Sequence, residues 1–108
     1  MNNYKLGDIV LIKFPFTDNT TFKKRPALII KDTNDGDIIV CRITSKLYNT
    51  PYDIELKEWD KYGLKLPSVI RIHKLASLEK AMVDFKFGEI DSDLLAEVVV
   101  AMNKLTAS

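Results

Sequence analysis

The chain has 108 residues, 46% hydrophobic and 29% charged, a balance that excludes intrinsic disorder and sets the size of one domain, expected over residues 1–108. Sixteen Lys and Arg against fifteen Asp and Glu leave a net charge of +1, so overall charge points to no acidic or basic partner, and any such preference must lie in where the charges sit. One cysteine excludes an intrachain disulfide, and neither a signal-peptide core nor an apolar run near the ~20 residues of a membrane span is present, so a cytoplasmic protein without membrane attachment is expected.

Ile9 to Phe14 is a nearly continuous apolar run behind Gly7-Asp8 and ahead of Pro15, and reads as a buried strand. Phe16 to Lys24 lacks apolar periodicity and reads as a surface loop. Pro26 fixes its own φ and pushes Arg25 toward extended geometry, so a second strand is expected from Ala27 to Lys31, with Arg25 at a rigid junction. Asn34-Asp35-Gly36 is a strong turn signal, and Ile38 to Thr44 is the return strand of a hairpin. Its two-residue period sends Cys41 and Ile43 to one face and Arg42 and Thr44 to the other.

Ile54 and Leu56 alternate with charged residues as in a half-buried strand, Gly63 to Pro67 makes a bend, and Val69 to Lys74 is a further strand. Leu75 to Val83 mixes helical and extended spacing and Asp84 to Phe87 ends at Gly88, a region that suits a helical turn followed by a short strand. Asp91 or Ser92 caps a final helix whose apolar face is Leu94, Leu95, Val98, Met102 and Leu105. The resulting class is mainly β, with one C-terminal helix.

One His and one Cys give no zinc spacing, no calcium loop is present, and neither a phosphate-binding glycine loop nor a nucleophile elbow occurs, so no metal or cofactor is expected. What remains is the basic turn Lys23-Lys24-Arg25-Pro26 and the polar strand end Thr44-Ser45-Lys46. Arg25 offers a planar fork of donors that matches phosphate oxygens, and Thr44 and Ser45 offer hydroxyls. The competing reading is a solvated charge run, with strand-end hydroxyls satisfying local backbone.

Gly7-Asp8-Ile9-Val10, Phe14-Pro15-Phe16-Thr17-Asp18, Lys24-Arg25-Pro26-Ala27-Leu28-Ile29-Ile30 and Ile43-Thr44-Ser45 follow one another in this order. Gly63-Leu64, Ser68 to Leu75 and Gly88-Glu89-Ile90 come next. Together they resemble the MazF/PemK family of toxin endoribonucleases over nearly the whole chain. The resemblance implies an SH3-like β-barrel with a C-terminal helix, a homodimer, metal-independent cleavage of single-stranded RNA, and neutralisation by a cognate antitoxin protein. It also implies that Arg25 and Thr44 are catalytic, with Ser45 beside them; Lys23 and Lys24 of the basic turn read as charges that steer RNA, and Phe16, Thr17, Ser45 and Lys46 are the further RNA-binding candidates. The segment Asp18 to Lys24 has no glycine, where the best-known members differ.

Asp18 and Glu55 are candidate bases, while His73 reads as a strand histidine that the family motif does not use. Two alternatives keep the barrel: a non-enzymatic toxin that inhibits DNA gyrase, and an inactive RNA-binding module in which Phe16 or Phe22 stacks bases. The polar end Lys104 to Ser108 gives the gyrase reading no aromatic wedge.

Overall fold

The computed structural model describes residues 3–15 and 21–107. Six strands form one antiparallel sheet: β1 (Asp8–Pro15), β2 (Phe22–Asp32), β3 (Asp37–Thr44), β4 (Asp53–Leu56), β5 (Ser68–Glu79) and β6 (Val83–Glu89). Their order across the sheet is β4-β5-β3-β2-β1-β6, and the sheet is not closed by hydrogen bonds between β4 and β6. The barrel-like, mainly β architecture with a C-terminal helix matches the expectation.

The β2–β3 hairpin turns at the expected place. Asn34 and Gly36 both take positive φ, 60° and 94°, which suits these residue types at a tight reversal. Asp32 accepts from the Asn34 amide and Asp35 from the Asp37 amide, so the turn holds itself in shape.

Two expectations on strand limits need correction. β2 begins at Phe22 rather than after Arg25, because Phe22 to Pro26 pairs with β1, Arg25 opposite Ile12 and Pro26 opposite Leu11. Pairing of β2 with β3 starts only at Ala27, opposite Arg42. At Pro26 the strand therefore has a neighbour on one side, the setting in which a residue without an amide hydrogen is tolerated. Likewise β5 continues through Leu75 to Glu79, and the expected helical turn is a 3₁₀ turn at Lys80–Met82 leading into β6. A second 3₁₀ turn, Trp59–Tyr62, lies between β4 and β5.

The core lies on both faces of the sheet. Ile9, Leu28, Ile43, Ile70 and Ile72 pack with the helix residues Leu94, Val98 and Ala101, while Val10, Ile12, Ala27, Ile29, Ile38 and Val40 form a second cluster. Burial of such side chains is worth roughly 1.5–3 kcal/mol each. The helix α1 (Ser92–Thr106) starts where Asp91 Oδ1 accepts the Leu94 amide at 2.9 Å, the capping role expected of that residue. Its inward face is Leu94, Val98 and Ala101, with Leu95, Met102 and Leu105 partly buried beside them. Among the described residues no helix is long and apolar enough to cross a membrane.

The widest register irregularity lies next to Arg42. Cys41 pairs with Leu75 and Arg42 with Arg71, so Ile72, His73 and Lys74 on β5 bulge against a single step of β3. Such a bulge bends a strand and re-aims its side chains. Here it lets the Ile72 amide leave β3 and donate to the Tyr52 carbonyl at 3.0 Å, tying down the segment that follows Thr44.

Candidate active site

Arg25 projects from β2 just before Pro26, and Thr44 closes β3. Both line one recess of about 680 Å³, together with Pro26, Arg42, Ser45 and Lys65 and an apolar wall that includes Leu64, Phe85 and Phe87. Arg25 and Arg42 also line a neighbouring recess of about 420 Å³, where Lys23 and Lys74 join them. The two arginines thus form a ridge shared by both recesses. Among the described residues lining either one there is no Asp, Glu or His, whereas five different lysines and arginines are present in all. A chain of nearly zero net charge has therefore sorted cations onto one surface, the arrangement that attracts a polyanion.

The expected site residues fall into three groups. Arg25, Thr44 and Ser45 are brought together, and Lys23 joins Arg25 in the smaller recess. Lys24 points elsewhere: its ammonium pairs with Asp84 at 3.0 Å. Lys46 is exposed, its amide donating to Thr44 Oγ1 at 3.2 Å and its ammonium lying 5.0 Å from the Tyr48 ring centre. Phe16 and Thr17, like the candidate base Asp18, lie outside the described residues.

Arg25 is exposed, and its guanidinium donates to the Lys24 carbonyl at 3.0 Å, which orients the fork while leaving most of its donors for a ligand. Thr44 is half-buried and uses its oxygen as an acceptor for the Lys46 amide, so its hydroxyl hydrogen is available to donate. Phe22 is exposed and lies under the Lys13 ammonium at 5.2 Å.

Neither the candidate base Glu55 nor His73 lines the recess. Glu55 lies on β4 beside Glu58, Tyr62 and Asp91 near the start of α1. His73 is held on β5, its Nε2 3.4 Å from an Arg71 nitrogen and its ring 5.6 Å from that of Tyr52, with Nδ1 buried and unpartnered among the described residues. That is the structural role read for it from sequence. Cys41 is equally removed from chemistry, since burial pushes its thiol up to about 12.

Arg42 is one of the site residues that sequence motifs did not single out. Alternation along β3 placed it on the face of Thr44, which was the available signal. Its position on the ridge depends on β2 and β3 lying side by side, with Ala27 opposite it.

The recess wall is shaped by Gly63, which has φ of 83°. A Cβ there would lie 2.9 Å from Cδ2 of Phe87, so only glycine lets the bend after Tyr62 sit against β6.

No curated protein sequence matches the chain. Its structure is similar to a MazE–MazF complex structure from Deinococcus radiodurans, with a TM-score of 0.78 at 21% identity over 97% of this chain and 96% of that one. It is also similar to an endoribonuclease in complex with its cognate antitoxin from a mycobacterial species, TM-score 0.76 at 14% identity over 94% and 93%. A third likeness is to the Mycobacterium tuberculosis toxin MazF-mt6, TM-score 0.70 at 15% identity over 88% and 93%. At these identities the likeness concerns the fold. The family model for PemK-like, MazF-like toxins of type II toxin-antitoxin systems, however, matches residues 5–106, and the chain belongs to that family.

Proposed function

We propose that the protein is a cytoplasmic endoribonuclease toxin that cleaves single-stranded RNA without a metal ion, acts as a homodimer and is restrained by a cognate antitoxin protein. The observation that carries the reading is the meeting of Arg25 and Thr44 in one recess whose described lining is cationic and free of carboxylates. In the cleavage step the ribose 2′-hydroxyl attacks the adjacent phosphorus, forming a cyclic phosphate and releasing a 5′-hydroxyl end. Negative charge builds on the non-bridging oxygens, and fixed donors aimed there give the largest stabilisation.

Arg25 presents its forked N–H groups to those oxygens, and the Thr44 hydroxyl donates from the opposite strand. Arginine stays charged throughout, so its role is charge stabilisation and donation rather than proton removal. Lys23, Arg42 and Lys65 draw the RNA backbone to the recess. Antitoxin control is supported by the fold's likeness to two toxins whose structures hold an antitoxin.

The test is incubation of RNA with the protein in excess chelator, beside the same RNA carrying a single 2′-deoxy residue at the cleaved position. Cleavage of the first, with 5′-hydroxyl and cyclic phosphate ends, and survival of the second support the reading. Loss of activity on adding chelator, or cleavage of the deoxy substrate, overturns it. Inhibition of gyrase supercoiling by a protein that leaves RNA intact favours the non-enzymatic alternative.

A further inference from the structure

The segment that follows Thr44 gathers a second set of cations around one aromatic ring. Tyr48 is half-buried, with the Arg71 guanidinium carbon 3.5 Å from its ring centre and Lys46 Nζ 5.0 Å from the same point. Arg71 cannot wander: its side chain is buried, Nε donates to Asp53 Oδ1 at 2.8 Å, and a terminal nitrogen lies 3.4 Å from His73 Nε2. The other Asp53 oxygen accepts from the Thr50 amide at 2.9 Å and the Thr50 hydroxyl at 2.6 Å. Tyr48 therefore rests on a support that is both rigid and neutralised.

Lys46 and Arg42 are not neutralised. Both are exposed, and neither has an acidic partner among the described residues. Arg42 stands opposite Arg71 in the β3–β5 register and lines both recesses beside Arg25, so it links the cleavage site to Tyr48. The Tyr48 hydroxyl registers this convergence. A hydrogen bond with Lys46, then the charges of Lys46, Arg71 and Arg42, lower its pKa against the opposing effect of burial.

A supported aromatic face with two unpaired cations, adjoining a phosphate-holding recess, has the composition of a nucleotide subsite. Bases stack on tyrosine and arginine planes, and the backbone phosphate takes the cations. We propose that Arg42, Lys46 and Tyr48 bind a nucleotide flanking the cleaved phosphate of single-stranded RNA, Tyr48 stacking on its base and Arg42 and Lys46 holding its phosphate. The proposal rests on the endoribonuclease reading and extends it. Asp53 and Arg71 act as positioning residues that hold the ring in place.

The experiment pairs binding with kinetics. An oligonucleotide with 2′-deoxyribose throughout, which lacks the attacking hydroxyl, is titrated by fluorescence anisotropy across a salt series, and the ribose form is used for KM and kcat. Tyr48→Leu is expected to weaken binding about tenfold or more and to raise KM by a larger factor than it lowers kcat, while Tyr48→Phe restores binding. Arg42→Ala and Lys46→Ala each lower the slope of log affinity against log salt by about 0.7, the loss of one phosphate contact.

Unchanged binding in Tyr48→Leu, equal loss in Tyr48→Phe and Tyr48→Leu, or unchanged slopes in both cation variants each overturn the subsite. If Tyr48→Leu does not fold by circular dichroism, the salt slopes decide alone. Failure of the wild type to cleave the ribose substrate overturns the endoribonuclease reading, while the titration still decides the subsite.

Discussion

Asp53 and Arg71 form a 2.8 Å ion pair between neighbouring strands, with side chains only 1% and 8% exposed. They face each other directly in the β4–β5 register, so the pair is built into the sheet. Because β4 follows directly from the segment carrying Lys46 and Tyr48, the pair fixes where that segment returns to the sheet. Removing one partner leaves the other as a buried, unpaired charge. Asp53→Ala is expected to cost about 3–5 kcal/mol, read by urea denaturation, and the double change Asp53→Leu with Arg71→Met to cost less than Asp53→Ala alone. Equal or greater loss in the double variant contradicts the pairing as the source of the effect.

Acid should expose the same chemistry. Burial by itself raises the Asp53 carboxyl, but hydrogen bonds from Arg71 and Thr50 and the Arg71 charge outweigh it and hold the group at about 2. Asp32 is also held at about 2, first by its hydrogen bond with Lys80 and then by the amides of Tyr4 and Asn34. Both folded values lie below the ordinary 3.8, so the unfolded chain takes up protons first as pH falls. Stability from these two groups is full above about pH 4 and is lost between about pH 4 and 2. Denaturation midpoints measured from pH 6 to 2 should be flat and then fall, and Asp53→Asn should make the fall shallower.

Gly63→Ala places a methyl group against Phe87 in a backbone region that favours glycine. A loss of about 1–3 kcal/mol in stability is expected, together with a lower rate of RNA cleavage because Gly63 and Phe87 both line the recess. A variant as stable as wild type in thermal melting contradicts this view of the bend.

Lys23 and Lys24 are adjacent in sequence but not equivalent. Lys23 lines the smaller recess, whereas the Lys24 charge is paired with Asp84. Lys23→Ala should lower the salt slope of RNA binding by about 0.7 and Lys24→Ala by less. Equal slopes for the two variants contradict the assignment.

Features encoded by near neighbours were legible in the sequence. The Asn34-Asp35-Gly36 turn, the Asp91 cap and the separation of Arg42 and Thr44 from Cys41 and Ile43 are each decided within a few residues, and each stands in the structure. Arg25 and Thr44 were legible as candidate phosphate holders from the basic turn and the polar strand end, and the family motif added their catalytic roles. That they share a recess follows from the β2–β3 pairing.

What sequence did not reveal depends on distant partners. Pro26 sits inside a strand because β3 pairing stops one residue away. Tyr48 gains its place from Arg71, and Arg71 from Asp53 and His73 across a bulge that no local pattern marks. The 3₁₀ turn at Trp59–Tyr62 is too short to show a period, and it is held where Gly63 meets Phe87.

The most direct measurement is the rate of RNA cleavage in excess chelator by wild type and Arg25→Ala, with circular dichroism confirming that both are folded. Removing a main stabilising donor should slow the reaction by roughly 100- to 1,000-fold, about 3–4 kcal/mol in the barrier. A folded Arg25→Ala protein that cleaves RNA at the wild-type rate contradicts the central claim.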